Sequence, residues 1–204
     1  MFSYSLLLTT RFCATLLYMT KTLVLAGGCF WCIESDMRKA PGVITAISGY
    51  SGGETMYFGP GPESADSEDH NGHYEAVLIE YDSTITSYKK LLQYFIDHID
   101  PTDGEGQFAD KGKSYRAAIF CENADERDIA KSVIEELNNS GVYSTPSKVL
   151  ILERKPFYKA EEYHQNYAEK NETQYGLYRL RSGREDFVQN TCEIREDKHI
   201  QWSE

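Results

Sequence analysis

Thr22-Leu23-Val24-Leu25-Ala26-Gly27-Gly28-Cys29-Phe30-Trp31-Cys32-Ile33 reads as a strand, a turn and the opening of a helix in one short stretch. The apolar run 22–26 has the character of a buried strand. Gly27-Gly28 permits a tight turn, after which Ile33 and Met37 recur at helical spacing. Cys29 is thereby expected at a helix N-terminus, where unpaired N–H groups and the helix dipole favour a thiolate over a thiol. Cys32 follows one turn later on the same face, within reach of disulfide geometry. Strand, turn, thiol and second thiol together point to a redox nucleophile.

Two plainer readings compete with that one. A C-x-x-C pair is also found as core packing or as half of a zinc site. Zinc is disfavoured because no second C-x-x-C and no H-x3-5-H follows. Phe30 and Trp31 place a large apolar surface beside the thiol, which is costly unless it lines a pocket or the core.

Outward from this stretch, elements alternate. Val43–Ser48 reads as a strand after the Pro41-Gly42 break, and residues 51–72 as a long loop rich in Gly, Pro, Ser and acids. His73–Tyr81 is apolar on both faces, as a central strand is. Ser87–Asp97 carries Leu91, Leu92, Phe95 and Ile96 at helical intervals, and Tyr115–Cys121 reads as a further strand. Asn123, with Glu126 three residues on, caps a helix whose buried stripe is Ile129, Val133, Ile134 and Leu137. Lys148–Leu152 is the last strand, followed by an aromatic, charged C-terminal region without clear period. The pattern predicts an α+β fold: a two-layer sandwich with a mixed sheet, helices on one face, a ferredoxin-like core and a long irregular C-terminal region.

Composition limits the function classes. A chain of 204 residues, 41% hydrophobic, is sufficient for one domain with a substantial core. A net charge of −11 disfavours nucleic acid and anionic membrane as partners. Five cysteines (Cys13, Cys29, Cys32, Cys121, Cys192) without regular spacing do not form a secreted disulfide scaffold, so a reducing, cytoplasmic setting is expected, with the protein acting as a monomer. Residues 1–18 hold Leu6-Leu7-Leu8, Leu16-Leu17 and a single charge, Arg11, which makes a poor signal peptide and too short a membrane span. Met19-Thr20-Lys21 precedes the first strand, so residues 1–18 are read as a disordered extension and 19–204 as a single catalytic domain with a C-terminal tail.

Glu75 is the second candidate. It shares a strand face with Val77 and Ile79, and a carboxyl on an apolar face loses hydration, holds its proton towards neutrality and suits general acid work. Tyr115 is placed to offer a phenolic O–H nearby, and Asp110-Lys111-Gly112 a turn that positions substrate. Isolated strand-end glutamates and single tyrosines are more often solvated or packing residues, so the grouping carries the argument.

At Gly28-Cys29-Phe30-Trp31-Cys32-Ile33-Glu34 the chain resembles the A-type peptide methionine sulfoxide reductases. The resemblance continues through Gly49–Gly53, Gly72–Val77, Gln107–Gly112, Tyr115-Arg116 and Pro156–Gln165, covering residues 21 to about 188. It implies attack by a Cys29 thiolate on the sulfoxide sulfur, proton donation by Glu75 to the oxygen, and tyrosine assistance. Phe30 and Trp31 would hold the substrate methyl group, with Asp110 and His164 also lining the site. A sulfenic acid on Cys29 then condenses with a second thiol, and thioredoxin reduces the disulfide. The implied substrate is the S epimer of methionine sulfoxide, in proteins or free, with no cofactor and no metal.

The chain departs from the family pattern in three places. Where the family has Asn-Pro-Thr-Tyr, this chain has Glu54-Thr55-Met56-Tyr57, and Tyr57 is the candidate for that tyrosine's role. Ser114 stands where many members have Gln. The tail around Arg181–Phe187 is not Gly-rich and its thiol is Cys192, so Cys32 is the first choice as resolving cysteine and Cys192 the second. Two other classes compete: a thioredoxin-like dithiol oxidoreductase, and a metal-binding module using Asp69, His70, His73 and a cysteine.

Overall fold

The computed structural model describes residues 19–53, 72–197, 201 and 202; Cys13, Tyr57, Asp69, His70 and the expected 1–18 extension lie outside the described residues. Strand β1 (Thr20–Ala26) leads into helix α1 (Phe30–Met37) and strand β2 (Val43–Ser51). Strand β3 (Tyr74–Asp82) lies between β1 and β2 and pairs antiparallel with both, so β1 and β2 run parallel across the α1 crossover. Helix α2 (Tyr88–Ile96) and a short hairpin, β4 (Gly106–Gln107) with β5 (Asp110–Lys111), then bring strand β6 (Ala118–Cys121) antiparallel onto β1. This is the interleaved pair of β-α-β units of a ferredoxin-like core. Helix α3 (Ala124–Asn139) crosses over to strand β7 (Leu150–Glu153), parallel to β6, and strand β8 (Tyr158–Lys159) closes the opposite edge on β2. The sheet order is β7-β6-β1-β3-β2-β8, the mixed six-stranded sheet of an α+β fold.

The two-residue period of the strands sorts the core into layers. On β1, Leu23 and Leu25 join a cluster with Ile33 and Met37 of α1, Leu91 and Phe95 of α2, and Val133 and Leu137 of α3. Val24 and Ala26 point to the other face, where Tyr74, Ala76 and Phe120 form a smaller cluster without helical residues. The helices thus cover one face, as the alternation of elements predicts. Helix starts follow their caps: Ser87 Oγ accepts from Lys90 N at 3.2 Å, and Asn123 Oδ1 from Glu126 N at 2.9 Å. Each such cap is worth about 1 kcal/mol.

Two expectations need correction. Tyr115 is not in a strand; it ends a 3₁₀ turn at Lys113–Tyr115, and β6 begins at Ala118. The C-terminal region is not irregular throughout, because from Tyr167 it forms α4 (Tyr167–Lys170), α5 (Glu172–Arg181) and α6 (Arg184–Asp197). Its residues buried against the body are largely polar or amphipathic (Tyr175, Arg184, Thr191 and Arg195), and such anchors leave no apolar period to read. Among the described residues no helix is long and apolar enough to cross a membrane.

Candidate active site

The loop between β1 and α1 builds the site. Gly28 has φ +83°, and a Cβ there would lie 2.6 Å from Gln107 Cβ and 2.8 Å from Arg184 Nη2, so conformation and space both require glycine. Cys29 occupies the N-cap position of α1, yet its side chain makes no capping hydrogen bond. That role passes to Glu75 of β3: Phe30 N–H donates to Glu75 Oε2 at 2.9 Å. One helix N-terminus therefore holds both the thiol and the carboxyl.

Glu75 is buried, and loss of hydration raises its pKa to about 8, against the opposing pull of the Phe30 N–H. At neutral pH it is a loaded acid, as its apolar strand face suggests. Tyr115 hydrogen-bonds to it, and Tyr50 sits opposite it in the β2–β3 register. Burial and then the Glu75 charge push both phenols above their ordinary value, so both remain O–H donors.

The two cysteines share a hydrogen bond in the buried site. Burial, the bond with Cys32 and the neighbouring Glu75 push the Cys29 thiol up; a hydrogen bond with Tyr178 opposes them. Cys32 is drawn down to about 7, first by the bond with Cys29 and, against burial, by the positive charges of Arg184 and Arg179. Cys29 stands at the helix N-terminus, where burial opposes the dipole's pull on its thiol and Cys32 lies within hydrogen-bond reach.

An aromatic wall stands beside the thiols. Phe30 packs 5.7 Å from Tyr50 and 5.0 Å from His164, centroid to centroid. Trp31 stacks on Tyr167 at 3.8 Å and donates its Nε1–H to His164 Nδ1 at 3.0 Å. His164 Nδ1 is thus an acceptor, so Nε2 carries the ring proton when the imidazole is neutral. Tyr178 meets Trp31 edge-on at 6.2 Å and donates to the Asp110 carboxylate as well as bonding with Cys29. Helix α1 also fastens the loop carrying His164, where Glu34 accepts from Asn166 N at 3.0 Å, and helix α5, where Asp36 pairs with Arg179 at 2.9 Å.

Cys29, Cys32, Glu75, Tyr115, Phe30, Trp31, Asp110 and His164 are therefore gathered at one place. Cys192 is not. It is exposed on α6, eight residues beyond Arg184, which puts it about 12 Å along the helix from the point where Arg184 meets the β1–α1 loop. His73 is buried against Tyr158, and no cluster of three metal-ligating side chains occurs among the described residues. Sequence reasoning missed Tyr50, Tyr178 and Arg184. Tyr50 was open to discovery through the pairing of its strand with that of Glu75, but Tyr178 and Arg184 come from helices whose docking the sequence pattern does not reveal.

The chain matches the family model described as peptide methionine sulfoxide reductase over residues 21–196. It is 44% identical over 164 residues to the peptide methionine sulfoxide reductase MsrA/MsrB of Vibrio cholerae, covering 80% of the chain and 43% of that longer relative. It is 46% identical over 164 residues to MsrA of Bacillus licheniformis, covering 80% and 89%. Among solved structures, reduced Mxr1 from Saccharomyces cerevisiae superposes with a TM-score of 0.66 at 29% identity, covering 75% of the chain and 86% of Mxr1.

Proposed function

The chain belongs to the peptide methionine sulfoxide reductase family, and we propose from this that it reduces the S epimer of methionine sulfoxide, in proteins or free, through Cys29. The sulfoxide methyl group rests against Phe30 and Trp31, and its oxygen faces Glu75, Tyr50 and Tyr115. Cys29 Sγ attacks the sulfoxide sulfur and its proton passes to Cys32. Glu75 gives its own proton to the oxygen, which otherwise leaves as a poorly stabilised oxide. Methionine departs, and Cys29 retains the hydroxyl as a sulfenic acid. Cys32 then displaces that hydroxyl as water, its formation completed by the proton taken from Cys29, and a Cys29–Cys32 disulfide remains. A thioredoxin-type dithiol reduces it by exchange.

The observation that carries this reading is the meeting of the buried Glu75 carboxyl and the Cys29 thiol at one helix N-terminus. Turnover of the two resolved sulfoxide epimers with dithiothreitol tests the proposal. The S epimer should be consumed and the R epimer left, and Cys29→Ser should be inactive. Equal consumption of both epimers, or activity surviving in Cys29→Ser, sinks it.

A further inference from the structure

A cavity of about 420 Å³ lies between helix α5 and the turn of the β4–β5 hairpin, lined by Ala109, Gln174, Leu177, Tyr178, Arg181 and Ser182. Gln174, Leu177, Tyr178 and Arg181 recur at three- and four-residue spacing, so they share one face of α5. The cavity adjoins the catalytic residues at two points. Tyr178, part of its wall, donates to the Asp110 carboxylate and meets Trp31 edge-on with ring centroids 6.2 Å apart. Ala109 is the residue immediately before Asp110. Leu177 is 48% exposed and Leu180, three residues on, is 56% exposed. Scattered exposed leucines are ordinary, but a neighbouring pair on one helix beside a cavity is apolar surface for a ligand to cover. Arg181 stands on the same face. Arg179 is held by Asp36 at 2.9 Å and Glu185 at 2.6 Å, whereas Arg181 forms no ion pair among the described residues.

We propose that this groove is a subsite for the polypeptide around the methionine sulfoxide, where Leu177 receives an apolar residue within two positions of it and Arg181 selects an acidic neighbour. The proposal rests on the reductase reading and narrows its substrate class to protein-bound methionine sulfoxide flanked by apolar and acidic residues. Reach supports it. With the sulfoxide methyl group against Trp31, the Tyr178 ring between indole and groove lies 6.2 Å away. An extended chain advances about 3.3 Å per residue, so one or two residues span that step. Free methionine sulfoxide has no residue to place there. The net charge of −11 does not cancel the pull of Arg181, because exposed charges beyond about 8 Å are screened at physiological salt.

The test is calorimetric binding to the full-length Cys29→Ser protein, which cannot turn its ligand over. The ligands are free methionine S-sulfoxide and three short capped peptides with the S-sulfoxide at the centre. One carries Leu and Glu before the sulfoxide, one carries them after it, and one has serine at every flanking position. One of the two Leu–Glu peptides should bind about tenfold more tightly than the serine peptide. Adding Leu177→Ser should weaken that peptide about fivefold and Arg181→Glu about threefold, while affinity for the free sulfoxide stays within about twofold. Equal affinity for the three peptides overturns the proposal. So does a Leu177→Ser protein that keeps the preference, or one that loses the free sulfoxide to the same extent. Both residues are exposed, so folded variants are expected. Should either fail to fold, methyl NMR of the Cys29→Ser protein decides: contacts from the peptide leucine to Leu177 and Ala109 support the groove, and contacts only elsewhere overturn it. Turnover of the free S epimer by the wild type with dithiothreitol is read separately. Its absence refutes the reductase reading, and the peptide affinities still decide for or against the groove.

Discussion

At the scale of single residues, Glu75 couples chemistry to stability. Its pKa is raised from an ordinary 4.5 to about 8, so its contribution to folding is complete below pH 4.5 and is lost as pH rises through 8. Urea unfolding should therefore show the wild type losing on the order of 4 kcal/mol more than Glu75→Gln between pH 5 and pH 9. Parallel stability profiles for the two proteins would mean that Glu75 is ionised in the fold. Tyr178 makes a second case. Its one O–H donates to the Asp110 carboxylate and has to turn to Cys29 to serve a thiolate there, so Tyr178→Phe withdraws a donor within reach of the nucleophile as charge develops on it. The first-turnover rate should fall about tenfold, the value of one hydrogen bond to a charged group. A rate within twofold of wild type would leave Tyr178 a packing residue only.

At the scale of elements, the β1–α1 junction carries the design. The strand ends, Gly28 takes a left-handed turn, and α1 begins with Cys29 at its cap and Glu75 bonded to Phe30 N–H. Gly28→Ala adds a Cβ 2.6 Å from Gln107 and forces a strained φ, so a loss of about 2–4 kcal/mol is expected in the denaturant midpoint. A midpoint within experimental error of wild type would show that the loop yields easily. This junction was also the most legible part of the chain, because its glycines, apolar run and helical spacing all express local rules. The pairing of Glu75 with Tyr50 was less legible, since it depends on a register between β3 and β2 that only the folded sheet specifies. Tyr115 was placed correctly beside Glu75 but on the wrong element, the 3₁₀ turn breaking what reads as one continuous strand.

At the scale of the whole molecule, three segments distant in sequence converge on one helix turn: the β1–α1 loop, the start of β3, and the C-terminal helices with Tyr178 and Arg184. The last of these escaped the sequence because α5 and α6 dock through tyrosine, arginine and threonine rather than an apolar stripe. Their helical state also bears on the resolving cysteine. Cys192 is exposed on α6, eight residues beyond Arg184, whereas Cys32 already shares a hydrogen bond with Cys29. Peptide mapping after one equivalent of methionine sulfoxide should give a Cys29–Cys32 link, with Cys192→Ser cycling normally and Cys32→Ser stalling at the sulfenic acid; a Cys29–Cys192 link would reverse the assignment. The central claim is that Cys29 and a proton-bearing Glu75 together reduce the sulfoxide. The most direct measurement is the rapid-quench rate of methionine formation in the first turnover, as a function of pH, for wild type and Glu75→Gln. The account predicts a wild-type rate that declines above pH about 8, and a Gln variant slower by about 10²–10⁴-fold without that decline. A Gln variant as fast as wild type, or one with the same alkaline limb, would contradict it.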